Sequence, residues 1–84
     1  MKSEREYELI CWAEHRAGGA FDQLLAPYRQ RLFRVIVQIV HNPEDAEDVL
    51  QEAILRAYRG IRNFRGDSAF YTWLFRIALN TAKA

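Results

Sequence analysis

The chain has 84 residues, half of them hydrophobic, with 12 basic and 11 acidic side chains and a single cysteine. That much apolar side chain supports a core and argues against disorder, and the length suits one small domain. One cysteine excludes an internal disulfide and suits a reducing compartment. No apolar run reaches membrane-spanning length, and the polar stretch from Lys2 to Glu8 is not a signal peptide, so a soluble, cytoplasmic chain without membrane insertion is expected.

The net charge of +1 conceals a segregation. Residues 1–41 carry six basic and five acidic groups, residues 42–55 five acidic and no basic, and residues 56–84 six basic and one acidic. An acidic middle beside a basic C-terminal third suggests two surfaces with different partners.

In chain order, the spacing predicts a first helix over about residues 3–17. Ser3 and Glu6 have the separation of a capping box, Tyr7, Ile10, Cys11 and Glu14 recur at helical spacing, and Leu9, Trp12 and Ala13 widen the apolar side. Gly18 and Gly19 end it. Cys11 and His15, four apart, have metal-ligand geometry, but two ligands without neighbours make a poor site. A buried thiol and a surface imidazole are the better expectation.

A second helix is predicted over about 20–41, with a core stripe of Phe21, Leu24, Leu25, Tyr28, Leu32, Val35, Ile36 and Ile39. Val37 and Val40 lie off that stripe, so cover on more than one side is expected. Pro27 should kink or restart the helix. Arg29, Arg31 and Arg34 read as solvated.

Asn42, Pro43, Glu44 and Asp45 mark a third helix start: a cap, a proline at the first helical position, and acids at the positive end of the dipole. The helix should run over about 43–62 with Ala46, Val49, Leu50, Ala53, Ile54, Ala57, Tyr58 and Ile61 inward. Asp48, Gln51, Glu52, Leu55 and Arg59 share the opposite face. A solvated face has no need of Leu55; carboxylates and an amide around an exposed leucine suit a basic partner helix.

The last stretch, from Asn63, is a glycine-containing loop feeding a helix over about 68–84, with Asp67 or Ser68 as cap. This helix is apolar nearly all round. Phe70, Leu74, Ile77 and Thr81 form a core stripe; Ala69, Trp73, Arg76, Asn80 and Lys83 form another, mixing an indole, a guanidinium, an amide and an ammonium. That chemistry stacks on an exposed base and holds a nucleic-acid backbone, and Arg56, Arg59, Arg62 and Arg65 approach the same loop from upstream. Gly66 sits where the backbone must turn tightly or meet a ligand closely.

No phosphate-binding glycine loop, nucleophile with a base, or metal cluster is written in the chain, so a non-enzymatic role without cofactor or metal is expected. Four helices and no strand signal predict an all-α, compact bundle.

The runs Asp48-Val49-Leu50-Gln51-Glu52 and Phe64-Arg65-Gly66-Asp67-Ser68-Ala69-Phe70-Tyr71-Thr72-Trp73-Leu74-Phe75-Arg76-Ile77-Ala78-Leu79-Asn80-Thr81-Ala82-Lys83 resemble region 2 of bacterial sigma factors. The likeness is greatest to the extracytoplasmic-function group and, within it, to the envelope-stress sigma E type. It covers about residues 18–84 well and the first helix loosely.

The resemblance implies a transcription initiation domain, occupying 1–84, that binds the clamp helices of the RNA polymerase β′ subunit and recognises and melts the promoter −10 element. It places the polymerase contact on Asp48, Gln51 and Glu52, beside Leu55. It places capture of an unstacked non-template-strand base on the loop Phe64, Arg65, Gly66, Asp67, Ser68, Ala69 and Phe70, with Trp73, Arg76 and Asn80 alongside; Tyr71 is grouped with them, and the basic third offers Arg56, Arg62, Arg65, Arg76 and Lys83 for phosphate contacts. Primary sigma factors carry two adjacent tryptophans for melting; Trp73-Leu74 here implies a weaker wedge and stricter promoters. Against that family pattern, a region 4 domain for the −35 element is not expected within residues 1–84. An anti-sigma factor is an implied partner in a stress response, and a monomer in isolation is expected. The alternatives are a helical module that binds DNA or protein without RNA polymerase.

Overall fold

The structure, a computed structural model, describes residues 4–15 and 19–83. Four α-helices follow one another, α1 (Glu4–Glu14), α2 (Ala20–Val40), α3 (Pro43–Gly60) and α4 (Phe70–Lys83), with a 3₁₀ turn, Ile61–Asn63, closing α3. Among the described residues there is no strand. The expected capping residues Ser3 and Gly18, and the end expected for the first helix, lie outside the described residues.

Helix α2 forms the spine, packing against α1, α3 and α4. Its stripe of Phe21, Leu24, Leu25, Leu32 and Ile36 is buried, and Val37 and Val40 pack on the core as well, so the helix is covered on more than one side. Of the kink or restart expected at Pro27, the restart does not occur, and the helix runs unbroken through it. Pro27 and Gln23, whose carbonyl loses its helical donor, are both exposed, so water can satisfy the orphan group. Helix α2 ends at His41 in the left-handed region, φ 60, and the chain turns directly into the Asn42 cap.

The Asn42 side-chain oxygen accepts from the backbone N–H of Glu44 at 2.8 Å and of Asp45 at 3.1 Å, a cap worth about 1 kcal/mol. Helix α3 then buries Ala46, Leu50, Ala53 and Ala57; its small residues let α2 and α4 approach closely. Tyr58, expected inward, is 41% exposed, its ring meeting Phe21 edge-on at the margin of the core.

Helix α4 begins at Phe70, later than the expected 68. Neither Asp67 nor Ser68 caps it; the Ala69 carbonyl takes the cap place, accepting from the Trp73 N–H at 3.2 Å. Phe70, Leu74, Ala78 and Thr81 are buried, and the Thr81 hydroxyl donates to the Ile77 carbonyl at 2.7 Å, leaving no polar orphan on that face.

Helix α1 lies across α2 with Leu9, Ile10 and Ala13 inward. Cys11 lies off that stripe and is exposed, correcting the expected buried thiol; the His15 Nδ1 donates to the Cys11 carbonyl at 2.8 Å. The α1–α2 seam is fastened by the Tyr28 hydroxyl donating to the Glu6 carboxylate and by Arg5 donating to Gln23 at 2.8 Å. Burial and the neighbouring carboxylate push the Tyr28 phenol from 10.0 up to about 12.

Candidate nucleic-acid and partner interfaces

Two separate surfaces carry the residues singled out by sequence. The first is the outer face of α3, where Asp48, Gln51, Glu52 and Leu55 are all exposed, Leu55 at 47%. The inward alanine stripe fixes this outcome, since residues on the opposite side of a helix must face solvent. Among the described residues Asp48 has no ion pair or side-chain hydrogen bond, so its charge is uncommitted. Gln51 donates to Glu47 at 3.4 Å, and Glu52 pairs with Arg56 at 3.2 Å. Exposed pairs of this kind are worth about 0.3–0.5 kcal/mol, so a basic partner can displace the arginine at little cost.

Arg56, grouped by sequence with the phosphate-binding residues, is exposed and pairs with Glu52 in this structure, so it lies beside the acidic face.

The second surface is built from the loop after α3 and the exposed stripe of α4. Phe64 closes its floor. Its ring lies 6.1 Å from Phe70, edge-on, and 5.2 Å from Trp73, and Trp73 lies 5.8 Å from Phe70. Within this trio Phe70 is wholly buried and Phe64 is 7% exposed, so in this conformation they plug the core, and only the half-buried indole offers a face to a ligand. A Cβ on Gly60 would lie 3.6 Å from the Trp73 ring, so the end of α3 flanks the indole.

Arg76, Asn80 and Lys83 are exposed on the Trp73 side of α4, as helical spacing predicts. Arg62 is exposed on the 3₁₀ turn, and Arg65, Gly66, Asp67 and Ala69 are exposed in the loop, with Ser68 half-buried. Gly66 has φ 77, a conformation that a side chain would strain. Tyr71, grouped by sequence with the strand-binding residues, is half-buried. It turns toward α2, its ring 5.2 Å from Tyr28 and 5.9 Å from Phe75, with the Arg31 guanidinium 5.2 Å above it. Arg31 is therefore held by an aromatic face rather than merely solvated.

Sequence reasoning missed the contribution of α1. Tyr7, Ile10, Cys11 and Glu14 form one wall of a cleft of about 220 Å³ whose other wall is Phe64, Arg65 and Gly66. Tyr7 and Cys11 recur at helical spacing with Ile10, but nothing in the sequence says which loop faces them.

Residues 24–84 match the Sigma-70 region 2 family. The RNA polymerase sigma-H factor of Pseudomonas aeruginosa is 47% identical over 83 residues, 99% of this chain and 43% of that protein. The ECF RNA polymerase sigma-E factor of Escherichia coli K12 is 50% identical over 64 residues, 76% of this chain and 33% of that protein. The chain thus spans less than half the length of these curated relatives. An NMR structure of an engineered region 2 of sigmaE in complex with GTAAAA superposes with a TM-score of 0.84 at 34% identity, covering 98% of this chain and 87% of that one.

Proposed function

The chain belongs to the sigma-70 region 2 family, and on that premise we propose that it is the part of a transcription initiation factor that joins RNA polymerase to the promoter −10 element. The observation that carries the reading is the likeness, at a TM-score of 0.84, to a sigmaE region 2 held in complex with GTAAAA, in a chain whose exposed α4 stripe offers an indole, an amide and cations. The role is one of binding, not catalysis.

The face of Asp48, Gln51, Glu52 and Leu55 docks the clamp helices of β′: three polar groups surround one apolar anchor, and the partner supplies the positive charge. The loop from Phe64 and the stripe of Trp73, Arg76 and Asn80 takes the non-template strand, the half-buried indole stacking on an unstacked base while Arg62, Arg65 and Lys83 meet phosphates. Asn80 lies where its amide can address a base edge. Trp73 stands without a second tryptophan, since Leu74 is wholly buried, so the wedge is a single ring and strand opening leans on the fit of the sequence. The working compartment is the cytoplasm, the isolated domain is monomeric, and an anti-sigma factor is a further partner.

The test is a pair of charge reversals, Asp48→Lys and Glu52→Lys. Each leaves thermal stability within about 1 kcal/mol, since both residues are exposed and away from the core and only the weak Glu52–Arg56 pair is lost. Each weakens binding to core polymerase about tenfold or more while single-strand binding is retained. Unchanged polymerase affinity refutes the docking role; a stability loss like that of a core change refutes the exposed assignment.

A further inference from the structure

Helix α1 ends at Glu14, ahead of residue 24 where the family match begins, yet it bears on both ends of the loop that precedes α4. Upstream, α1 packs against the 3₁₀ turn Ile61–Asn63, which leads into Phe64. Downstream, Tyr28 of α2 relays the contact. Its hydroxyl donates to the Glu6 carboxylate on α1, while its ring lies 6.0 Å from Phe70 and 5.2 Å from Tyr71, the first two residues of α4. Phe70 in turn lies 5.8 Å from Trp73. Burial and Glu6 push the Tyr28 phenol up to about 12, so the hydroxyl remains a donor at neutral pH.

The relay acts on a part of α4 that is weakly fixed from within. Neither Asp67 nor Ser68 caps the helix, and its first turn is closed by the Ala69 carbonyl, so tertiary contacts set where that turn lies. A stacking face that is already held in place binds more tightly than one that must be ordered on contact. A phenylalanine at position 28 would pack on Phe70 and Tyr71 equally well; the hydroxyl is needed only for the link to α1.

Resting on the strand-binding role given above, we propose that Tyr28 and Glu6 are positioning residues for that role: their hydrogen bond ties α1 to the first turn of α4 and holds the Trp73 face in its strand-binding arrangement. The first helix then strengthens strand binding without touching the strand.

The test compares the whole chain with Tyr28→Phe, Glu6→Ala and Glu6→Gln. It measures affinity for single-stranded GTAAAA, corrected for the folded fraction, and hydrogen exchange of the Trp73 amide, which donates to Ala69, against that of Ala53 in the core of α3. Tyr28→Phe and Glu6→Ala each weaken binding about threefold to tenfold and speed Trp73 exchange relative to Ala53. The double variant is no weaker than either single one, because both break the same bond. Glu6→Gln, whose amide oxygen still accepts from the phenol, stays within about twofold of wild type. The direction separates positioning from charge, since deleting a carboxylate by itself favours binding of an anionic strand. Wild-type affinity in Tyr28→Phe and Glu6→Ala, or equal acceleration of the Trp73 and Ala53 amides, overturns the positioning role alone. Failure of the wild-type chain to bind the oligonucleotide overturns the positioning and strand-binding roles together.

Discussion

Truncating Trp73 to alanine separates two roles that the indole plays at once. Toward the interior it packs on Phe64 at 5.2 Å and Phe70 at 5.8 Å; toward solvent it keeps part of its surface. Removal of a fully buried aromatic costs about 3–5 kcal/mol, so a half-buried one costs about 2 kcal/mol, which lowers Tm by about 8–16 °C in a domain of this size. A stacked base adds about 1–3 kcal/mol of binding, so the folded variant loses affinity for single strands by about 5-fold to 150-fold, evenly over base sequences. Leu74→Ala is the control. Leu74 is the adjacent residue and wholly buried; its truncation costs about 2–5 kcal/mol of stability with no contact to a ligand. The assay is fluorescence anisotropy of a labelled oligonucleotide in the cold, with the folded fraction of each variant fixed by urea denaturation. If Trp73→Ala binds like wild type once corrected for folding, or if Leu74→Ala loses as much affinity, the indole is core and the stacking argument is wrong.

Single-strand affinity falls with salt, with a log–log slope of about −2 to −3 if three or four of the exposed Arg62, Arg65, Arg76 and Lys83 meet phosphates; a flat dependence refutes the phosphate role. Arg56→Gln leaves that slope unchanged because Arg56 is engaged by Glu52, and a shallower slope would place it on the strand after all. Because the Tyr28 phenol is raised from 10.0 to about 12 by burial and by Glu6, its stabilising contribution is fully present below pH 10 and is lost as pH rises toward 12. Tyr28→Phe removes that part of the alkaline fall, and an unchanged pH profile refutes the coupling across the α1–α2 seam. Replacing residues 64–68 with another loop changes the base preferred at one position, whereas an even loss for every sequence reduces the loop to scaffold.

The helices were legible because each carries a stripe with the period of an α-helix, and α3 also announces its start with Asn42 and Pro43. The α3 face was legible for the same reason: alanines that must be buried leave Asp48, Gln51, Glu52 and Leu55 outside. The loop was less so. Phe64 and Phe70 flank Gly66, and sequence cannot distinguish a ring that meets a base from one that seals the core, because both need an aromatic beside a turn. The structure shows them edge-on to one another and buried. The place of the Tyr71 ring was not legible because α4 is apolar on most sides, and only the position of Tyr28 and Arg31 on α2 decides where that ring goes. The late start of α4 has a similar cause: Asp67 and Ser68 are good caps by type, but the left-handed turn at Gly66 sets the geometry, and the cap place falls on Ala69. What α1 contributes depends on a contact between segments some fifty residues apart, which no local pattern records.

The most direct measurement is a titration of the isotope-labelled chain with single-stranded GTAAAA, followed by amide chemical shifts residue by residue. The account predicts perturbations concentrated on Arg62, Arg65 to Ala69, Trp73, Arg76 and Asn80, with Asp48, Gln51, Glu52 and Leu55 unmoved. Perturbations centred on the Asp48 face, or the same response to a duplex of equal length, would contradict it.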